Sequence, residues 1–530
     1  MAHPSDDAES YRELDLGASA QMEPTLKRPA TRPPALQAAR EGEGAGVTGT
    51  LARARSAINA TLMRLTTSER WFAGLLILCS VYFIMPLESN IWSRWDMVYA
   101  LVHGQATIDV HAKNTIDVSY YHGHWYSPRS LGLSLAATPV LWLISLFYRL
   151  DFPARIAYAL QVYAMNLFTV VAVGVAAALI FRRFVARLRP TLAASPLPFV
   201  VAGTFALATL EYPFAVVFLS HVFGGGLLFI AFYLIYRARA EATSTRWLVA
   251  AGLLTGLGVI SEYLTGLIFL VLCGYILLGF PGKRIKSLAH YGAGMAPSAL
   301  ALAWYDWFAF GNPLSVSYGF VSGSEFSGQH KGFFGVTLPT LSGLWQIFGY
   351  PRGLLIESPF LLLIPFGLYV WYRSGESRLE ALVVAAVSLL YPLAVSSYFL
   401  PMAGAYVPGP RLLVPALPFM CLGLAWVVDD SRFWVRAAFT ATLGFSLLIT
   451  YLYVLAGSRI APIYGAYPVK SLFIPLLRTG LAPAVNGSTP INLGEKLLRL
   501  PPALSIYVVG LALLAWYYAS ARAILRRPVA

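Results

Sequence analysis

Apolar runs broken by short polar stretches fill the chain from residue 70 onward. The first covers 70–86. The rest fall at 131–149, 158–181, 196–211, 217–236, 246–263, 264–280, 287–308, 354–373, 379–398, 411–428, 434–456 and 504–522. Runs such as 158–181 and 434–456 reach the ~20 residues an α-helix needs to cross the hydrocarbon core. The pattern predicts an all-α polytopic membrane protein, a bundle of about 12–13 transmembrane helices. Residues 1–66 are polar, mixed in charge and carry Pro29, Pro33 and Pro34, which predicts a disordered tail. No apolar core follows a short basic start, so the tail does not read as a signal peptide. Residues 67–530 are then the membrane domain, interrupted by longer polar stretches at 87–132, 309–353 and 457–503.

Basic residues orient these runs. Arg53, Arg55, Arg64 and Arg70 flank the start of the first run, which places the N-terminus in the cytoplasm and 87–132 outside. If every run crossed, Arg182, Arg183, Arg187 and Arg189 would land outside, and most later basic loops with them. If 131–149 instead lies along the surface or re-enters, then Arg182–Arg189, Arg237–Arg246, Lys283–Lys286, Arg373–Arg378, Arg432–Arg436 and Arg522–Arg527 all fall inside. One change repairs the charge pattern, so about twelve full crossings are expected, with both ends cytoplasmic. The stretch 457–503 keeps Arg459, Lys470, Arg478, Lys496 and Arg499 on the outer side. Either it is an outer subdomain that touches lipid phosphates, or the topology breaks there. Under this arrangement Glu211, His221, Glu262, Asp306, Arg352, Glu357 and Arg411 gather at the outer face. Ionisable groups near lipid are costly and line sites or pathways. The stretch 309–353, rich in Gly, Ser and aromatics, is expected outside as a lid.

Composition agrees. Hydrophobic residues make up 57% and charged ones 12%, against about 25% charged in soluble chains; mean hydropathy is +0.63. The net charge of +14 sits in short clusters beside apolar runs, which fits cytoplasmic loops rather than nucleic acid. Cys79, Cys273 and Cys421 all lie within apolar runs and predict neither a disulfide framework nor a metal site. No phosphate-binding glycine loop is present.

Residues 87–132 hold the chemistry: Glu88, Asp96, Asp109 and Asp117, four of the eight histidines (His103, His111, His122, His124), and Tyr120, Tyr121, Trp125 and Tyr126. Asp96 lies in WSRWDMVYALV, which reads as a short amphipathic helix in the interface; Asp109 and Asp117 flank HAKNTI in a loop. A carboxylate here can deprotonate an acceptor hydroxyl, and Asp also caps helices and forms turns; either reading holds for each one singly. HGHWYSPRS adds imidazoles, aromatic faces and Arg129. Aromatics stack on sugar rings and a guanidinium forks onto phosphate, while an aromatic belt alone would explain Trp125 and Tyr126 but not Arg129. GYPRGLL (349–355) and PGPRLLVP (408–415) each place an arginine, Arg352 or Arg411, after a Gly/Pro turn at a helix start, where amides also favour an anion; snorkelling is the plainer alternative. His221 and Glu262 read first as satisfied polar residues between helices. Asn486-Gly487-Ser488 matches a glycosylation acceptor.

The stretch SRWDMVYALVHGQATIDVHAKNTIDVSYYHGHWYSPRSLG resembles the first outer loop of GT-C class integral-membrane glycosyltransferases, namely bacterial relatives of protein O-mannosyltransferases and of the aminoarabinose and galacturonosyl transferases that modify lipid A. Ser93, Arg94, Asp96, Ile108, Asp109, Asn114, Thr115, Asp117, Gly123, His124, Tyr126, Ser127 and Gly132 match the pattern. Arg129 replaces a lysine and Leu131 a proline. Glu88 lies nearest the aspartate pair that follows the first span in the mannosyltransferases. GLGVISEYLTGLI, FGNPLSVSYGF, FGYPRGLLIESPFLLL and GPRLLVPALPF extend the likeness across most of 70–430.

The resemblance implies a GT-C-like bundle in the bacterial inner membrane, with short interfacial helices in its outer loop and its active site on the periplasmic face. It implies a polyprenyl phosphate carrying one sugar as donor, a cell-envelope acceptor (lipid, glycan or protein) and inversion at the anomeric carbon. Asp96, Asp117 or Asp109 would be the base. Arg129, Arg352 and Arg411 would face the phosphate, with His124, Tyr126, Glu262 and Asn114 on the substrates. No cofactor is expected, and a divalent metal stays open. Two rivals make different demands. A lipid-carrier flippase or transporter needs polar residues midway along its spans, often with inverted repeats, and neither is found. A polyprenyl-diphosphate glycan ligase or polymerase could work with arginine and histidine and no acidic base.

Overall fold

The computed structural model describes residues 65–146, 154–241, 245–322, 328–332, 334–402, 407–461, 464, 468–483 and 490–526; its compact unit is Thr67–Ala530. The tail and the Asn486 motif lie outside the described residues. Helix α1 (Thr67–Val81) starts at one end of the bundle, where buried Glu69 accepts from Arg183 at 2.8 and 3.1 Å. It leads to β1 (Phe83–Ile84) and α2 (Ser89–Val102) at the other end. There β2 (Ser119–Tyr121) and β3 (His124–Tyr126) form a hairpin with Tyr121 opposite His124. The two loop residues, His122 and Gly123, both have positive φ, 48° and 90°, as a tight hairpin turn demands.

Helix α3 (Leu131–Ser145) does not reach the opposite end. At its start Ser130 Oγ donates to the Ser261 carbonyl, and Gly132 leaves room for Ser261, which any Cβ would strike. Towards its close, Leu141 and Ser145 face Trp95 and Tyr99 of α2. Both ends therefore sit beside the 87–132 stretch. The next helices, α4 (Ala154–Asn166) and α5 (Ala172–Leu188), run on through a π turn at Leu167–Val171. Tyr163 of α4 donates to the Val81 carbonyl at the site end, and Arg183 of α5 meets Glu69 at the far end.

The chain then passes end to end through α6 (Leu197–Leu207), α7 (Ser220–Ala240), α8 (Thr245–Ser261), α9 (Gly266–Gly279) and α10 (Arg284–Phe310). After the short α11 (Leu341–Phe348) it continues through α12 (Ile364–Ser374), α13 (Arg378–Ser396), α14 (Arg411–Val428), α15 (Phe433–Leu455) and α16 (Tyr507–Leu525). At the far end Arg189 pairs with Asp429, Arg239 with Glu380, and Arg432 with Asp430. Arg183, Arg189, Arg239 and Arg432, all among the basic residues used to orient the sequence, thus share one end of the bundle.

Among the described residues, six helices are long and apolar enough to cross a membrane, including Ala157–Leu188, Ser220–Ala240 and Phe433–Leu455. Other expected spans are shorter or broken. The run 196–211 stops at Leu207, where the Ala208 carbonyl turns to the Ser358 hydroxyl. Arg411–Val428 is itself one of the six, although it alternates 3-10 and α turns around Pro415 and Pro418. The stretch 457–503 belongs to the site end: β4 (Ile491–Asn492) pairs antiparallel with β1, and Tyr82 Oη donates to the Ser505 carbonyl at 2.7 Å.

Helices α8 and α10 approach most closely through glycine. A Cβ on Gly252 would strike the Tyr291 carbonyl oxygen, and one on Gly294 the Val249 carbonyl oxygen. Without a hydrophobic drive between helices in lipid, such small-residue contacts hold neighbours together. Gly294→Val should therefore lower the thermal denaturation midpoint in detergent by several degrees, the effect of an overpacking cost of about 1–3 kcal/mol. Gly292→Ala, on the same helix with nothing within 4 Å of the added Cβ, should leave it unchanged.

Candidate functional site

A cavity of about 450 Å³ opens at the site end between α2, the hairpin loop, the start of α7, the end of α8 and the start of α14. That size lies within the ~300–1,000 Å³ of small-molecule clefts. Its charged lining comes from far apart in the chain: Glu88, Arg94, Asp117, Arg129, Glu262, Arg411 and Arg459, with His221 beside them.

Local folding explains the loop side. Thr115 Oγ1 donates to the Ser89 carbonyl at 2.7 Å, and the Ile116 amide donates to Ser89 Oγ at 3.1 Å. The Asp117 amide donates to Thr115 Oγ1 at 3.0 Å. These bonds bind NTID to the first turn of α2 and turn Asp117 towards the cavity. There Arg129 Nη2 lies 2.5 Å from Asp117 Oδ2, with both side chains largely buried. Ser93 and Ser127 hydroxyls, 2.8 Å apart, fasten the segment before Arg129 to α2.

The floor is a chain of polar groups. Arg94 Nη2 donates to Ser220 Oγ at 2.9 Å, and Ser220 Oγ donates to Glu262 Oε2 at 3.0 Å. His221 Nδ1 stands 2.8 Å from the same carboxylate oxygen. Burial, then the repulsion of Arg129, brings Arg94 down to about 10, which leaves it charged at neutral pH. Arg411 opens α14 directly after Pro410; among the described residues it forms no ion pair, and its Nε is buried without a partner.

Three described residues of the stretch 309–353 reach the cavity. Ser119 and Val321 form a β-bridge, the Ser322 amide donates to the Val118 carbonyl at 3.0 Å, and Tyr318, Val321 and Gln329 reach the lining.

Of the residues singled out in the sequence, the structure thus brings Asp117, Arg129, Glu262 and Arg411 together. The others stand elsewhere. Asp96 is buried on α2, accepts from Asn114 Nδ2 at 3.3 Å and is not part of this cavity's lining; its Oδ2 has no partner among the described residues. Asp109 accepts from the Trp125 amide at 2.7 Å and pairs with His124 of β3 at 2.7 Å, both side chains exposed. Burial works upward on Asp109, but the Trp125 amide and His124 hold it below the usual carboxylate range. Tyr126 packs against Phe310 in a small separate core. Arg352, at φ 71°, donates from Nη1 to the Val407 carbonyl at 2.9 Å and so holds the turn that delivers Arg411. Sequence reasoning did not assign a role at the site to Arg94 or Arg459. Arg94 stood in the matched SRWD motif, whereas nothing local in 457–503 marks Arg459. Among the described residues no three His, Cys, Asp or Glu side chains are grouped to hold a metal.

The bundle has the fold of the GT-C class of integral-membrane glycosyltransferases. In particular, it is similar to ArnT from Cupriavidus metallidurans, solved bound to undecaprenyl phosphate, with 13% identity and a TM-score of 0.50 over 86% of this chain and 75% of that one. ArnT from the same organism in the apo state matches at 12% identity and a TM-score of 0.46, over 90% of this chain and 78% of that one. The Archaeoglobus fulgidus oligosaccharyltransferase in its apo form matches at 14% and 0.45, over 79% and 58%. No family model and no curated protein matches the sequence.

Asp96 provides a test of the geometry. Burial pushes its carboxyl up to about 7, against ~3.9 in an unfolded chain. Between those values the folded state holds a proton that the unfolded state has lost, so stability is greatest below about pH 4 and falls until about pH 7. Asp96→Asn should flatten this slope in thermal melts across pH 4–7 and keep the fold. An unchanged slope would show that Asp96 is not buried as a neutral acid.

Proposed function

We propose that the protein is a glycosyltransferase that moves one sugar from a polyprenyl phosphate to an envelope acceptor, with inversion, on the outer face of a bacterial inner membrane. The observation that carries the reading is the arginine-lined cavity at the site end, closed by Asp117–Arg129 and floored by Glu262. Arg94, Arg129, Arg411 and Arg459 line it together with Glu88, Asp117 and Glu262, and guanidinium groups suit the phosphate of a phosphodiester. ArnT bound to undecaprenyl phosphate supports the same lipid class for this fold.

In the proposed step an acceptor oxygen attacks the anomeric carbon from the face opposite the phosphate. The bond from that carbon to the phosphate oxygen breaks, and its electron pair stays on the phosphate. Charge therefore grows where Arg411 and Arg129 wait, and preformed cations stabilise it without reorganisation. The acceptor proton goes to a carboxylate. Asp117 already engages Arg129, whereas the Glu88 side chain accepts no hydrogen bond among the described residues. We assign the base to Glu88 and the orientation of Arg129 to Asp117; Asp96 and Asp109 hold the loop in shape.

Membranes containing the protein, offered radiolabelled polyprenyl-phosphate sugars one at a time, should pass label from one of them to an envelope acceptor. Failure of all of them would overturn the reading. With an active donor, Glu88→Gln should lower kcat by about 10²–10⁴ with little change in KM. Arg411→Ala should lower kcat/KM by a similar factor, and Asp96→Asn should leave kcat within about threefold. Equal losses for Asp96→Asn and Glu88→Gln would reject the assignment of the base.

A further inference from the structure

Helix α2 works on two faces. Asn90 and Arg94 turn to the reaction cavity. Trp95, Tyr99 and Val102, spaced i, i+4 and i+7, form one wall of a second cavity of about 350 Å³. Leu141 and Ser145 of α3 and Tyr158 of α4 close it, and His103 and His111 enter from the loop side.

The lining is aromatic and polar at once, and among the described lining residues none carries a fixed charge. Trp95 packs edge-on to Tyr158 at 4.9 Å, and Tyr99 stacks beside Trp95 at 5.3 Å. His103 Nδ1 is 2.8 Å from the Tyr99 carbonyl, so it carries the hydrogen and leaves Nε2 as an acceptor. His111 Nε2 is buried with no hydrogen-bond partner. Burial and then His103 hold that imidazole below its ordinary value, so it is neutral at pH 7. Buried polar atoms without partners call for an occupant that supplies them.

We propose that this second cavity binds the uncharged sugar ring of a membrane-borne glycan, stacked on the aromatic wall with its hydroxyls on His103, His111 and Ser145. A charged headgroup would find no counter-charge among the described lining residues. An acyl chain would leave His111 Nε2 unsatisfied. Aromatic faces beside a few hydrogen-bonding groups suit a pyranose, which presents both kinds of surface. A membrane source fits the exposure of Trp142, Leu143 and Leu146, sequence neighbours of the lining residues Leu141 and Ser145. That the ring belongs to the acceptor rests on the transfer reading; that it binds here does not.

The test uses the full chain in lipid nanodiscs and a photoreactive alkyl β-glucoside, with the alkyl tri(ethylene glycol) ether of the same tail as control. The glucoside should label peptides containing Tyr99–His111 or Leu141–Ser145, and the ether should not. Ser145→Trp, which fills the mouth, should cut labelling about tenfold, and His103→Ala, at an exposed position, about fivefold. Polyprenyl phosphate binding, measured on the same samples, should be unchanged in both variants. Equal labelling by the ether, labelling elsewhere, or labelling indifferent to both variants would overturn the proposal. Loss of polyprenyl phosphate binding in the wild type would instead count against the transfer reading alone.

Discussion

Contact at both ends, not length, turns helix α3 back: α1 has the same 15 residues and runs from one end of the bundle to the other. Both its ends stay beside α2, held by Ser130 and Gly132 at one and by the aromatic cavity at the other. Every later helix takes its direction from that return. Had α3 crossed, Arg411 and Arg459 would stand at the opposite end from Asp117, and Glu69 could not meet Arg183. The reaction cavity and the ring of far-end ion pairs are thus two consequences of one helix that turns back.

The bundle was legible in the sequence because apolar runs and basic flanks are properties of segments, and a segment keeps its end of the bundle even when its helix is broken. The cavity was legible only in part. Asp117, Arg129, Glu262 and Arg411 were found because each sits where a polar residue meets a turn or helix end. Asp96 shows what could not be read. It lies two residues from Arg94, about 200° around the same helix, so the two cannot share a wall. The sequence places both in the motif, and only helix phase separates them. Asp109, outside the hairpin, and His124 of β3 satisfy each other, a pairing set by how the preceding loop bonds to Trp125 and not by composition. Arg459 arrives from a segment some 330 residues beyond Arg129, and no local pattern announces such a meeting.

The arginine-rich lining works against stability. Arg94 is 3% exposed with Nε and Nη1 unpartnered, and buried ion pairs such as Asp117–Arg129 seldom repay the loss of hydration. A chain selected for folding alone would place apolar side chains there. The departure is concentrated at one end of the bundle, whereas the far-end pairs sit at helix termini, Arg239 and Arg432 among them with their guanidinium groups partly exposed. Local cost collected in one cavity is the mark of a site whose polar groups await a partner.

That partner has to supply negative charge. An anion entering the cavity would meet Arg411, which has no ion pair, and would share Arg129 with Asp117. It would find these groups already fixed by Arg352, Ser89, Thr115 and Ser93, so little ordering is left to binding. The same supports explain why the loop carries so many residues that do not touch the cavity: Thr115, Ser127, Asp109 and His124 hold the wall in place. In the proposed transfer a phosphate-bearing lipid would relieve the repulsion among the guanidinium groups on binding. With the sugar gone the phosphate would carry more charge and be held more tightly, so release of the spent carrier is the step this lining would slow.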